Sequence, residues 1–191
     1  MRRRTFDLLV SGAGVLLAIV LIVAAALMTW GHTFVENQVS SQLSAQKIVF
    51  PAAGSPALKA LPPADAAAMK QYAGQQMTTG AQAKTYADNF LAVHLKEIAD
   101  GKTYSQLSAA AQADPGNAAL AKQVETVFRG TTLRGLLLNA YAFWKMGQIL
   151  LIASIVGYVA GVFMLLLSVL GLVHSNRPSS SEKEVFASSS A

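Results

Sequence analysis

The stretch LLVSGAGVLLAIVLIVAAALMT, residues 8–29, decides how the chain is read, because its twenty-two residues include no ionisable side chain. As a helix it would be about 33 Å long, enough for the ~30 Å hydrocarbon core of a bilayer. Arg2, Arg3 and Arg4 stand just before it, and Trp30 and His32 follow. A basic flank is retained on the cytoplasmic side, while an indole suits the headgroup level. The stretch GQILLIASIVGYVAGVFMLLLSVLGLV, residues 147–173, is equally free of charge, with Trp144 and Lys145 ahead of it and His174, Arg177 and Pro178 behind. Two spans then place both termini in the cytoplasm. The segment between them is too long for its own basic residues to vote on topology.

The composition agrees with this reading. Charged residues make up 13% of the 191, about half of what soluble domains carry. The net charge of +5 is spread along the chain, with Arg2, Arg3 and Arg4 as the basic run. No basic stripe interleaved with aromatics is present, so nucleic acid is not expected as a partner. The chain has no cysteine, which removes disulfides, thiolate nucleophiles and Cys-based zinc sites from consideration.

These observations predict an all-α membrane protein with two transmembrane helices and an extracytoplasmic helical domain between them. The divisions are a cytoplasmic N-terminus (1–7), a first transmembrane helix (8–30), an external domain (31–145), a second transmembrane helix (146–173) and a disordered cytoplasmic tail (174–191). A cleaved signal peptide is the alternative for the first span, with Ala24, Ala25 and Ala26 as the small residues. The apolar run exceeds the ~7–15 residues of a signal-peptide core, which favours an uncleaved signal anchor in the cell membrane.

Small residues mark a packing face on each span. Ala153, Gly157 and Gly161 lie four apart, and Gly14 and Ala18 form a shorter counterpart. Such stripes let helix backbones approach closely, either within a hairpin or between two copies of the chain. Arg2, Arg3, Arg4, Trp30, Trp144, Lys145 and Arg177 are the expected membrane-interface residues. Besides the lipid bilayer, a second copy or another membrane protein is the expected partner.

Between the spans the pattern is helical throughout. Val35, Val39 and Leu43 continue the first helix to about Gln46, and the four prolines and glycine of residues 51–63 predict a loop. A short alanine-rich helix is expected over 64–73. Thr79 with Gln82, and Thr103 with Gln106, have the spacing of capping boxes. The first opens a helix running to Gly101, and the second opens one running through Ala113. Asp114-Pro115 predicts the next N-terminus, Gly130 its end, and Thr131 or Thr132 the cap of a further helix leading into the second span.

Chemistry would need converging polar groups. His32 and His174 belong to opposite ends of the spans, which leaves His94 in the external domain, beside Phe90 and Ile98 on an apolar stripe. Glu36, Asp65, Asp88, Glu97, Asp100, Asp114 and Glu125 show no spacing distinctive of acid–base work. No catalytic, cofactor-binding or metal-binding residue is assigned. The expected function is therefore non-enzymatic: the external domain binds or positions another envelope component. The alternative is an envelope enzyme or small-molecule sensor with a site near His94. Tyr72, Tyr86, Phe90, Tyr104 and Phe128 are candidates for the core, and for a binding face where exposed.

The basic start, a span ending in Thr29-Trp30-Gly31, the run from Gln75 to Ala83, Gly101-Lys102-Thr103-Tyr104-Ser105 and Leu136-Leu137-Leu138-Asn139-Ala140-Tyr141 together resemble uncharacterised two-span membrane proteins of actinobacteria. The resemblance implies the two-span architecture and no activity. Members sometimes carry the label of a ring-opening dioxygenase, but the iron of such an enzyme would need a histidine and carboxylate set that these residues do not supply.

Overall fold

The computed structural model describes the backbone of residues 3–175 and the side chains of residues 5–174. Arg2, Arg177 and the tail beyond Ser175 lie outside the described residues, as do the side chains of Arg3 and Arg4. The described chain is helical, without a strand.

Helix α1 (Arg3–Ala45) takes up the first apolar run and continues without a break through Val35, Val39 and Leu43. It stops where Lys47 turns to a φ of 52°, just ahead of the proline-bearing segment. That segment is not all loop. Ser55 caps α2 (Pro56–Lys59) with its hydroxyl, and Pro56 occupies the first turn, where its missing N–H costs nothing. Helix α3 (Pro63–Lys70) follows with a proline at its start.

Both capping boxes form. Thr79 accepts from the Gln82 N–H at 3.3 Å and Gln82 Oε1 accepts from the Thr79 N–H at 3.1 Å, which opens α4 (Gly80–Tyr86). The expected single helix to Gly101 is interrupted by a π-turn over Ala87–Leu91 before α5 (Ala92–Ile98). Thr103 and Gln106 open α6 (Tyr104–Ala113) in the same reciprocal way.

The largest departure is α7, a single helix from Ala118 to Ser175. Asp114 does not cap it, because its backbone closes α6 instead. The cap falls to Asn117, whose Oδ1 accepts from the Leu120 N–H at 3.0 Å. Gly130 does not end a helix, and Thr132 does not start one. Thr132 Oγ1 donates to the Phe128 carbonyl within the helix at 2.8 Å. Gly130 is small for a packing reason, since a Cβ there would lie 2.3 Å from Leu95 Cδ2.

The chain divides into two compact units, residues 1–31 with 149–191 and residues 32–148. In the first, Thr5–Ala45 and Ala118–His174 each contribute a stretch long and apolar enough to cross a membrane. The packing there is inverted relative to a water-soluble helix pair. Ser11, Ala18, Ala25, Ser154 and Ser168 are buried, whereas Leu16, Leu27, Val159 and Leu170 are each more than 60% exposed. Large apolar side chains on the outside and small ones at the contact are what a lipid-facing pair requires.

The second unit holds a conventional core. Val39 and Leu43 of α1, Leu58, Leu61, Met69, Met77, Ala83, Ala87 and Leu137 surround Phe50, which is 1% exposed. The rings of Tyr72 and Tyr86 stand 5.3 and 5.4 Å from it. Backbone bonds fix Phe50 from both sides, with its N–H donating to Gln75 O at 2.9 Å and its carbonyl accepting from Gly74 N–H at 3.2 Å. A smaller cluster of Ala99, Leu107 and Val127 secures α6 against α7. Tyr72, Tyr86 and Phe90 pack on the main core. Tyr104 and Phe128 do not: both are exposed, with their rings 5.5 Å apart.

Candidate functional site

Past residue 32, α1 and the facing part of α7 enclose an apolar groove of about 490 Å³. Its α1 wall is Phe34, Val35, Gln38, Val39, Gln42, Leu43 and Gln46. Val39 and Leu43 line the groove and also belong to the domain core, so groove and core share these side chains. The α7 wall is Leu133, Leu136, Leu137, Asn139, Ala140 and Phe143. No charged side chain lines it. Glu36, Arg134 and Lys145 lie on the same two helices but outside the groove, whose polar groups are the amides of Gln38, Gln42, Gln46 and Asn139. A mostly apolar concavity with a few uncharged polar groups is the ordinary form of a site for an apolar ligand.

The groove's frame is held by Trp144. Its indole N–H donates to Glu36 Oε1 at 3.3 Å, and Gln148 Nε2 donates to Glu36 Oε2 at 3.1 Å. His32 Nδ1 lies 3.0 Å from the Gly147 carbonyl. Trp144 thus faces the domain core, while Trp30 is largely exposed. Gly80, the first residue of α4, meets Trp144 so closely that a Cβ would fall 2.3 Å from its Cβ.

The small residues of the spans meet within their own unit. A Cβ on Gly14 would meet Ser168 Oγ at 2.2 Å, one on Gly157 would meet Ala25 Cβ at 3.0 Å, and one on Gly161 would meet Ile22 Cγ1 at 2.7 Å. Ala18 is fully buried, and Ala153 is half-buried. The buried positions repeat every seventh residue, Ser11, Ala18 and Ala25 on α1 and Ser154, Gly161 and Ser168 on α7. A sevenfold repeat follows a left-handed wrap of one helix on another. Sequence reading at fourfold spacing missed the serines, whose hydroxyls are satisfied locally: Ser154 donates to Leu151 O and Ser168 to Met164 O, both at 2.8 Å.

His94 is half-buried and its ring lies 4.3 Å from that of Phe90, with Nδ1 2.8 Å from the Phe90 carbonyl. It does not line the groove. Three of the carboxylates around the domain have partners elsewhere. Asp65 accepts from Asn89 at 2.8 Å, Asp114 from Asn117 at 3.1 Å, and Glu125 pairs with Arg129. Among the described residues no three His, Asp or Glu side chains group as a metal site.

Asp88, on the π-turn, is the most heavily engaged acid. It pairs with Lys84 and, at 2.8 Å, with Arg134 of α7, and Lys84 also stands 5.4 Å from the centre of the Tyr141 ring. Burial alone would raise the Asp88 carboxyl, but the hydrogen bonds from Lys84 and Arg134 outweigh it and hold the group below its ordinary 3.8. The hydrogen bond and the charge of Asp88 raise Lys84 above 10.5. The depressed acid contributes stability that is present above its unfolded pKa and is lost as pH falls through its lower folded value. The raised lysine contributes stability that is complete below its unfolded pKa and fades as pH climbs through its higher folded value. Asp88→Asn is therefore expected to cost about 0.2–1 kcal/mol between these limits, given the solvent exposure of the network. Thermal unfolding of the full chain in detergent across pH checks this, and a variant that tracks the parent at neutral pH sinks it.

Compared with protein-family models, with curated proteins and with solved structures, the chain matches none.

Proposed function

We propose that the chain is a non-enzymatic integral membrane protein of the cell membrane whose external helical domain, residues 31–145, binds or positions another envelope component. The observation that supports this most is the charge-free groove of residues 34–143, an accommodating surface with no acid–base constellation in it. The helix pair, which exposes its large apolar side chains and buries small ones, supports two spans rather than a buried core hairpin. Arg2, Arg3 and Arg4 support cytoplasmic termini.

The absence of cysteine makes topology simple to test. Lys102→Cys, in an exposed turn, is expected to react with a membrane-impermeant maleimide on intact cells, and Ser180→Cys only after permeabilisation. Reaction of Ser180→Cys on intact cells would invert the topology. The binding role is tested by light in-cell crosslinking and mass spectrometry of what co-purifies in mild detergent. A reproducible envelope component, lipid or protein, that is lost when residues 31–145 are replaced supports the proposal. Recovery of the chain alone, or with itself only, overturns it.

A further inference from the structure

We propose that the groove between α1 and α7 holds an acyl chain of a bilayer phospholipid, drawn out of the hydrocarbon core along the two helices that form its walls. This deepens the binding role above and rests on it.

Three observations favour a lipid chain over other occupants. The first is chemistry. With nine apolar residues and four uncharged amides, the lining offers no cation to a free fatty-acid carboxylate and no charge to the polar flank of an amphipathic helix. A chain still attached to its lipid needs neither, because the headgroup stays outside. The second is length. From Phe34 to Gln46 the α1 wall rises about 18 Å, and from Leu133 to Phe143 the α7 wall rises about 15 Å. Half of the ~30 Å hydrocarbon core, the reach of a chain in one leaflet, is about 15 Å. The third is continuity along the chain. Phe34 stands on the same helix as the apolar run ending at Thr29, and Phe143 stands on the same helix as the run beginning at Gly147. Phe34, Leu136 and Phe143 are each more than half exposed. Apolar side chains that face outward therefore resume on both helices within about a turn and a half of the runs that would cross the membrane.

The test uses the full chain in phosphatidylcholine vesicles that carry a diazirine near the end of one acyl chain, with adducts mapped by peptide mass spectrometry after illumination. Adducts are expected on residues 34–46 and 133–143 as well as on the spans. Leu136→Glu places a charge in the groove without touching the core, and Gln42→Trp fills the groove from an exposed position. Each should lower groove labelling about tenfold while labelling of residues 8–29 is unchanged. An unlabelled groove beside labelled spans overturns the inference, as does groove labelling that neither variant reduces. A photoreactive residue at position 42 that crosslinks to a second copy or another polypeptide instead of lipid also overturns it. In these cases the co-purification experiment still decides the wider proposal, so the two failures are distinguishable.

Discussion

Truncating Phe50 to alanine is expected to destabilise the domain of residues 32–148 by about 3–5 kcal/mol, the cost of removing a fully buried ring whose surroundings cannot collapse. Collapse is hindered because Tyr72, in the turn after α3, and Tyr86, at the end of α4, lean on the ring, and the backbone of Phe50 itself is bonded to Gly74 and Gln75. The two tyrosines would lose their shared contact, and Met69 and Met77, both fully buried, would border a void. Tm in detergent should fall by roughly 10–20 °C. Amide exchange should quicken first at Phe50 and Met77, whose N–H groups bond Gln75 and Ile48 across the paired loops. A loss below about 1 kcal/mol would mean the ring's place is refilled, and that Phe50 does not organise the core.

Gly80→Val is expected to cost up to about 3 kcal/mol by overpacking. The new Cβ would arrive 2.3 Å from Trp144 Cβ and 2.6 Å from Cγ. These are atoms at the root of the side chain, so relief requires α4 to move away from α7. The capping box at Thr79 is untouched by the change, which separates a packing cost from a capping one. In a Trp30→Phe background, Trp144 emission should move to longer wavelength as its indole loses its cover and its bond to Glu36. Gly135→Ala is the control: nothing lies within 4 Å of its Cβ position, so it should gain up to about 1 kcal/mol from helix propensity. Equal behaviour of the two variants would show that Gly80 is not a contact point.

The helical architecture is legible in the sequence because its strongest signals are local. The charge-free runs are read along consecutive residues, and the Thr79 and Thr103 capping boxes and the period of Val35, Val39 and Leu43 each concern residues within about two turns of one another. What the sequence hides is what depends on a partner far along the chain. Gly130 reads as a helix end until Leu95 is seen against it, and Asp114 reads as a cap until Asn117 takes that role. The groove needs residues about a hundred positions apart to be side by side, and nothing in either wall alone distinguishes it from an amphipathic helix surface. The sevenfold repeat that buries Ser11, Ser154 and Ser168 is hidden because a serine in an apolar run carries no local sign of which side meets a second helix. Ser55-Pro56 is a local helix start, a capping hydroxyl before a first-turn proline, set within a segment whose four prolines otherwise read as a loop.

The π-turn at Ala87–Leu91 carries one residue more than the α-helix it interrupts. That surplus lets neighbouring positions serve different tethers, Asp88 to α7 and Asn89 to α3. Shortening the chain by one residue here would restore a regular α-helix and keep the register of both flanking helices, sacrificing a tether and sparing Phe50 and its neighbours. A related chain could therefore lose a residue at this point while keeping the same core.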